Sequence, residues 1–226
     1  AWTAGNQERV QAAFFTASFT TMGYIAKADG QVSKQEIAVA ENVMNQMQLD
    51  ATQRAVAIDL FNQGKDVSSI DEAVRQFREE CGRRTNLIQF FLEIQISTAL
   101  ADGELHRAEQ KILLDISTQL GFSRFKFEQM LAMALAQSRF RGFTGQSDDK
   151  QNDTPKPRAS QLSEAYQLLG VTASASDVEV KKAYRRLISQ HHPDKLVSKG
   201  LPEEMMKLAT QKTREIKSAY DLIRDG

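Results

Sequence analysis

The sequence predicts an all-α protein in two unequal parts, and three observations predict it. Apolar residues recur at the 3.6-residue spacing of amphipathic helices through most of the chain. No stretch shows the period-two alternation of a half-buried strand. The polar stretch from Ser138 to Ser160, carrying Gly142, Gly145, Pro155 and Pro157, separates a long N-terminal part from a short C-terminal one. The expected organisation is a helical bundle over 1–137, a flexible linker over 138–160 and a small helical unit over 161–226. At 226 residues there is room for two modest domains, each with a core of its own.

In the N-terminal part, Val10, Ala13, Phe14, Ala17, Phe19, Met22 and Ile25 make one apolar stripe, which predicts a helix from Gln7 to about Ala28 ended by Asp29-Gly30. Ser33 then reads as an N-cap with Glu36 completing a capping box, and Ile37, Ala40, Val43, Met44 and Met47 form the next stripe. Further helices are expected over Ala51–Asn62, Ser69–Glu80, Asn86–Ala101, His106–Leu120 and Ser123–Gln137, making seven in all. The turn Ala28-Asp29-Gly30-Gln31-Val32 returns as Ala101-Asp102-Gly103-Glu104-Leu105, which suggests two related helix-turn-helix units. In the C-terminal part, Ser160 is expected to cap a helix over Gln161–Leu169 that Gly170 ends. Ser174 or Ser176 starts a second helix to Gln190, and a third runs from Glu203 to Arg224.

Composition narrows the function. The 29 basic and 29 acidic residues cancel, so any basic surface that matters must be local. The single Cys81 cannot form an internal disulfide and fits a buried structural thiol in a reducing compartment. No run of about 18 apolar residues occurs, so the expectation is that the chain as given neither spans a membrane nor carries a signal peptide. The chain begins at Ala1 rather than Met, and the expectation is a fragment or processed product.

The motifs that could carry bond chemistry fall away in turn. Read as calcium loops, the Asp-Gly turns would put Lys27 and Ile25, or Leu100 and Thr98, where ligands are needed, so a turn-forming role is the better reading of Asp29 and Asp102. Phe14, Phe15, Phe19, Phe90 and Phe91 stand at helical spacing and read as core rather than as a pocket. Three histidines, with Cys81 in the other part, do not make a zinc site. His192 has no nucleophile or orienting group beside it in a hydrolase pattern, and no Gly-rich phosphate loop occurs. The expectation is no catalytic residue, no metal and no cofactor, and thus a protein that is not itself an enzyme.

A recognition surface remains. Val180, Ala183, Leu187 and Ile188 form the apolar side of the second C-terminal helix, while Lys181, Lys182, Arg185, Arg186 and Ser189 lie mostly elsewhere. Like charges so close repel one another, a cost that an acidic partner converts into attraction. The helix then meets His192-Pro193-Asp194, where the proline lacks an N–H and pushes its predecessor out of the helical region, so a fixed, exposed bend is expected.

The run Tyr166 to Val171, then Val180 to Leu187, His192-Pro193-Asp194-Lys195 and finally Ile216 to Ile223 resembles the J domain of DnaJ-like co-chaperones, over about Gln161 to Gly226. The stretch Asp194 to Met206, with Phe91 to Ile96 and the repeated Asp-Gly turn, is similar to the membrane-anchored bacterial members of that family. Their N-terminal half is a TerB-like all-helical domain. The resemblance implies a TerB-like bundle linked to a J-domain helical hairpin that binds a DnaK-type ATPase chaperone and stimulates its ATP hydrolysis. It implies docking through Lys181, Lys182, Tyr184, Arg185, Arg186, Ser189, His192, Pro193, Asp194 and Lys195, with Tyr184 either at the edge of that face or on the core stripe. It also implies the cytoplasmic side of the bacterial inner membrane, an anchor before Ala1, and membrane or signalling proteins as partners of the N-terminal half in envelope stress. No Gly/Phe-rich segment or paired Cys-x-x-Cys module follows the J-like region, so client delivery must come from elsewhere. The competing readings are a signalling scaffold acting through the TerB-like half, and a nucleic-acid-binding helical module. The zero net charge and the lack of base-reading residues stand against the last.

Overall fold

Helix α5, Thr85–Ala99, is the axis of the N-terminal bundle, and its residues Leu87 to Ile96 are all buried. A helix that is apolar almost all round has to be enclosed by others, and α1 (Ala4–Ala26), α2 (Lys34–Gln46), α4 (Asp71–Cys81), α6 (Arg107–Gln119) and α7 (Arg124–Arg141) pack on it, with α3 (Ala51–Asp66) laid against α1. The C-terminal unit adds α8 (Arg158–Leu169), α9 (Asp177–His191), α10 (Pro193–Val197), a 3₁₀ turn (Glu203–Met205) and α11 (Met206–Arg224). The computed structural model describes residues 4–28, 34–101, 104–141 and 158–225, and no strand occurs among them. The Asp29-Gly30 and Asp102-Gly103 turns, the Ser33 cap and residues 142–157 lie outside the described residues.

The seven predicted N-terminal helices are all present, with shifted ends. Asp50 accepts a hydrogen bond from the Gln53 N–H at 2.8 Å and starts α3 through a capping box. Phe14, Phe77 and Phe91 bring α1, α4 and α5 together, with ring centroids 5.7, 5.9 and 4.4 Å apart, the edge-on and tilted arrangements that aromatic quadrupoles favour. Phe15 is only half-buried and lies 4.9 Å from Phe19. Cys81 is buried against this core, and burial above all pushes its thiol up to about 12, so it is inert at neutral pH.

Helices α1 and α3 cross backbone to backbone. A Cβ on Gly23 would run into the Phe61 carbonyl, and one on Gly64 into the Thr20 carbonyl, so both positions demand glycine for approach rather than for conformation.

Three expectations are corrected. Helix α7 continues past Gln137 to Arg141, and α8 begins at Arg158, ahead of Ser160, so both ends of the expected linker are helical. The cause is packing: Ala136 and Phe140 bury against Ala165, Leu168 and Leu169 in a second core that spans both parts. The C-terminal unit has more than three helices, because Pro193 opens α10 and a 3₁₀ turn precedes α11. The cores are not separate either. Leu196, Leu201, Met205 and Ala209 of the C-terminal unit are buried in the same cluster as the N-terminal helices. Gly200, at φ +100, belongs to that seam, since a Cβ there would stand 2.5 Å from Val10 Cγ1. The side-chain amide of Gln7 also donates to the Val197 carbonyl across it at 3.3 Å.

The close crossing sets a first expectation. Gly23→Ala forces α1 and α3 apart and should cost about 2–3 kcal/mol, an overpacking penalty. Thermal unfolding should fall by roughly 5–10 °C; an unchanged midpoint would show that the crossing relaxes freely.

Candidate partner-docking site

Helix α9 starts at Ser176, whose hydroxyl caps the Glu179 N–H while the Glu179 carboxylate accepts from the Ser176 N–H at 2.8 Å. Val180, Ala183 and Leu187 are buried on its inner face, and Ile188 is half-buried. That leaves Lys181, Lys182, Arg185 and Arg186 exposed, and none of the four takes part in an ion pair among the described residues. The Lys126 ammonium of α7 stands near Arg186: burial first, and then the Arg186 charge, hold it below its ordinary value, against the pull of Glu93. Tyr184 turns inward and stacks on Tyr220 with centroids 4.2 Å apart, so it supports the cationic face from its edge and packs on the core as well.

The bend is a corner between two helices. His192 ends α9 and, with extended backbone at φ −60 and ψ 125, also begins α10; its carbonyl accepts from the Leu196 N–H at 3.0 Å. Pro193 takes the first helical position, where a missing N–H costs nothing. Asp194 and Lys195 are exposed, whereas His192 and Pro193 are half-buried rather than fully exposed as expected. The His192 Nδ1 is enclosed without a hydrogen-bond partner among the described residues. Lys195 Nζ donates to Ser189 Oγ at 2.7 Å, tying the far side of the corner back to α9. The structure thus gathers the ten sequence-predicted residues along one helix and its corner, with Tyr184 turned toward the core.

Behind the corner lies a buried polar network that sequence reasoning missed. His191 is 2 % exposed. Its Nδ1 lies 2.9 Å from the Leu187 carbonyl and its Nε2 lies 2.8 Å from Glu93 Oε2 on α5. A carbonyl can only accept, so Nδ1 donates to Leu187, and Nε2 shares a hydrogen bond with the Glu93 carboxylate. Glu93 also accepts from the Gln89 amide at 2.7 Å and faces Lys212 Nζ at 3.5 Å. Lys212 donates to Gln137 Oε1, and the Gln137 amide donates to Glu215. His191, Lys212, Glu93 and Glu215 thus meet, with Gln137 between Lys212 and Glu215, where α5, α7, α9 and α11 come together. The signal in the sequence is Gln89, Glu93 and Gln95 inside the otherwise apolar run of α5.

Burial, the largest influence on Glu93, pushes its carboxyl up; the charges of His191 and Lys212 and the hydrogen bonds from His191 and Gln89 together outweigh it and hold the group well below the carboxylate range. Among the described residues no His, Cys, Asp and Glu side chains converge as a metal-holding group, and no helix is long and apolar enough to cross a membrane.

Known proteins carry the same two parts in the same order. A family model described as tellurite resistance protein TerB matches residues 15–132, and the DnaJ domain model matches 164–226. The chain is 46% identical over 222 residues to the co-chaperone protein DjlA of Photobacterium profundum, covering 97% of this chain and 79% of that protein. It is 46% identical over 221 residues to DjlA of Coxiella burnetii, covering 96% and 78%, and 42% identical over 228 residues to DjlA of Mannheimia succiniciproducens, covering 94% and 79%. No solved structure matches. A His-Pro-Asp corner beside an exposed cationic helix, on a DnaJ domain that follows a TerB domain, defines a J-domain co-chaperone. Within that class the chain belongs to the DjlA family.

The buried carboxylate makes the seam between the two domains sensitive to acid. Because the folded value of Glu93 lies below the ordinary 4.5, its stabilisation is complete above that pH and is lost as pH falls through and below it. Amides of α10 and of the Leu201–Ala209 stretch should lose hydrogen-exchange protection between about pH 4.5 and 3. Glu93→Gln should flatten that part of the profile. An identical acid profile in the variant would assign the loss to other carboxylates.

Proposed function

We propose that this co-chaperone binds a DnaK-type ATPase chaperone through the cationic face of α9 and the His192-Pro193-Asp194 corner, and stimulates ATP hydrolysis by that partner. The observation that supports it is the juxtaposition of an exposed Asp194 with four exposed cations on the helix leading to it, none of them in an ion pair among the described residues. The division of work follows from range. Screening cuts exposed charges off at about 10 Å in 0.1 M salt, so Lys181, Lys182, Arg185 and Arg186 steer and hold an acidic partner without setting geometry inside it. The corner acts at contact distance: Asp194 offers a carboxylate to an arginine or to backbone donors of the partner, while His192 and Pro193 fix its direction. The chain's own part is to bind and orient, and the hydrolysis belongs to the partner.

The resemblance to membrane-anchored members of the family supports action at the cytoplasmic face of the bacterial inner membrane, with the anchor outside the described helices. It also supports membrane or signalling proteins as further partners of the TerB domain.

Asp194→Asn keeps the shape of the corner and removes the charge. Helical content should be unchanged, while stimulation of single-turnover ATP hydrolysis by a DnaK-type chaperone should be lost; undiminished stimulation would remove Asp194 from the contact. Neutralising Lys181, Arg185 and Arg186 together should weaken binding about 10–100-fold at low salt and flatten its salt dependence. Equal affinities across a salt titration would place the docking face elsewhere.

A further inference from the structure

The corner is held from both sides by the TerB domain. Ahead of it, the His191 ring is fixed by Glu93 at 2.8 Å, by the Leu187 carbonyl at 2.9 Å and by the edge of Phe90, whose centroid lies 6.3 Å away. After it, Leu196 is fully buried in the core that the N-terminal helices build. Only His192, Pro193, Asp194 and Lys195 lie between those two anchors, and Asp194 and Lys195 point into solvent. On the C-terminal side of the same carboxylate, Lys212 ties α11 to Glu93, and α11 stands beside both α9 and α10.

We propose that Glu93 is a positioning residue for ATPase stimulation. By gripping His191 and Lys212 at once, this side chain of the TerB domain sets the angle at which the His192-Pro193-Asp194 corner is presented to the partner. The proposal rests on the docking reading above. The Glu93 side chain is 9 % exposed, and its carboxylate is turned to His191 and Lys212 rather than to the exposed corner. Its effect therefore passes through His191, the residue adjoining the corner. A J domain released from this grip keeps its cations and its Asp194, so it still meets the partner, but the corner samples several orientations and only a fraction of encounters are productive.

The test is a titration of the full chain into a DnaK-type chaperone, reading single-turnover ATP hydrolysis against co-chaperone concentration. A variant that is merely less well folded has fewer active molecules, which raises the half-saturating concentration and leaves the plateau intact. A variant that is folded but misaligned lowers the plateau. For Glu93→Gln the plateau should drop about tenfold with half-saturation nearly unchanged. The double variant Glu93→Gln/His191→Gln, which restores a neutral hydrogen-bonded pair, should recover part of it. An intact plateau in Glu93→Gln would overturn the proposal and leave Glu93 as a stabiliser of the seam. Circular dichroism checks folding; should Glu93→Gln not fold, His191→Gln is held to the same criterion. Asp194→Asn in the same titration separates the two levels: if it stimulates normally the docking reading fails, whereas loss with Asp194→Asn and an intact plateau with Glu93→Gln sinks only the positioning role.

Discussion

A carboxylate inside a protein stays ionised only where cations and donors replace the water it has lost, and for Glu93 two of the groups closest to it, His191 and Lys212, belong to the other domain. Its amide partner, Gln89, lies one turn away on α5, but the two groups that meet its Oε2, His191 and Lys212, come from the J domain. Separating the domains would take His191 and Lys212 away from Glu93. The charge on Glu93 and the docking of the domains are therefore linked. The apolar part of the seam, Leu196, Leu201, Met205 and Ala209, supplies area, while the polar part supplies register, because hydrogen bonds of fixed length and direction admit a single arrangement.

That coupling explains why a J domain near the lower size limit for independent folding carries an extra short helix at its corner. Helix α10 is five residues long, too short to persist alone, and its one buried side chain, Leu196, lies in the core of the TerB domain rather than among α8, α9 and α11. The core between α8, α9 and α11 is likewise completed by Ala136 and Phe140 of α7. Each domain contributes apolar surface that the other encloses.

What the sequence made legible follows the range of the forces involved. Helices with a full apolar stripe, such as α1 and α9, were readable because a 3.6-residue period is a local property. The end of α7 was not, because Phe140 is an anchor only when α8 is there to receive it. Pro193 was readable as a break in α9 and unreadable as the start of α10, since five residues carry no period. In the docking site the cations and the corner are contiguous and were found together. Glu93 and His191 are 98 positions apart and were not. Tyr184, which helical spacing left between surface and core, was decided by Tyr220 on α11, a partner that no local pattern announces.

Charge and geometry therefore sit on different domains for a physical reason. A cationic face works through long-range attraction, tolerates imprecise placement and needs only solvent around it, so α9 alone provides it. On the proposed docking reading the corner meets reacting groups in another protein within fractions of an ångström, and exposed residues at a helix break do not hold such tolerances by themselves. Rigidity has to be imported from packed structure. On the positioning role proposed above, that structure is α5, whose residues Leu87 to Ile96 are all buried, and Glu93 is the point at which its rigidity reaches the residue before the corner.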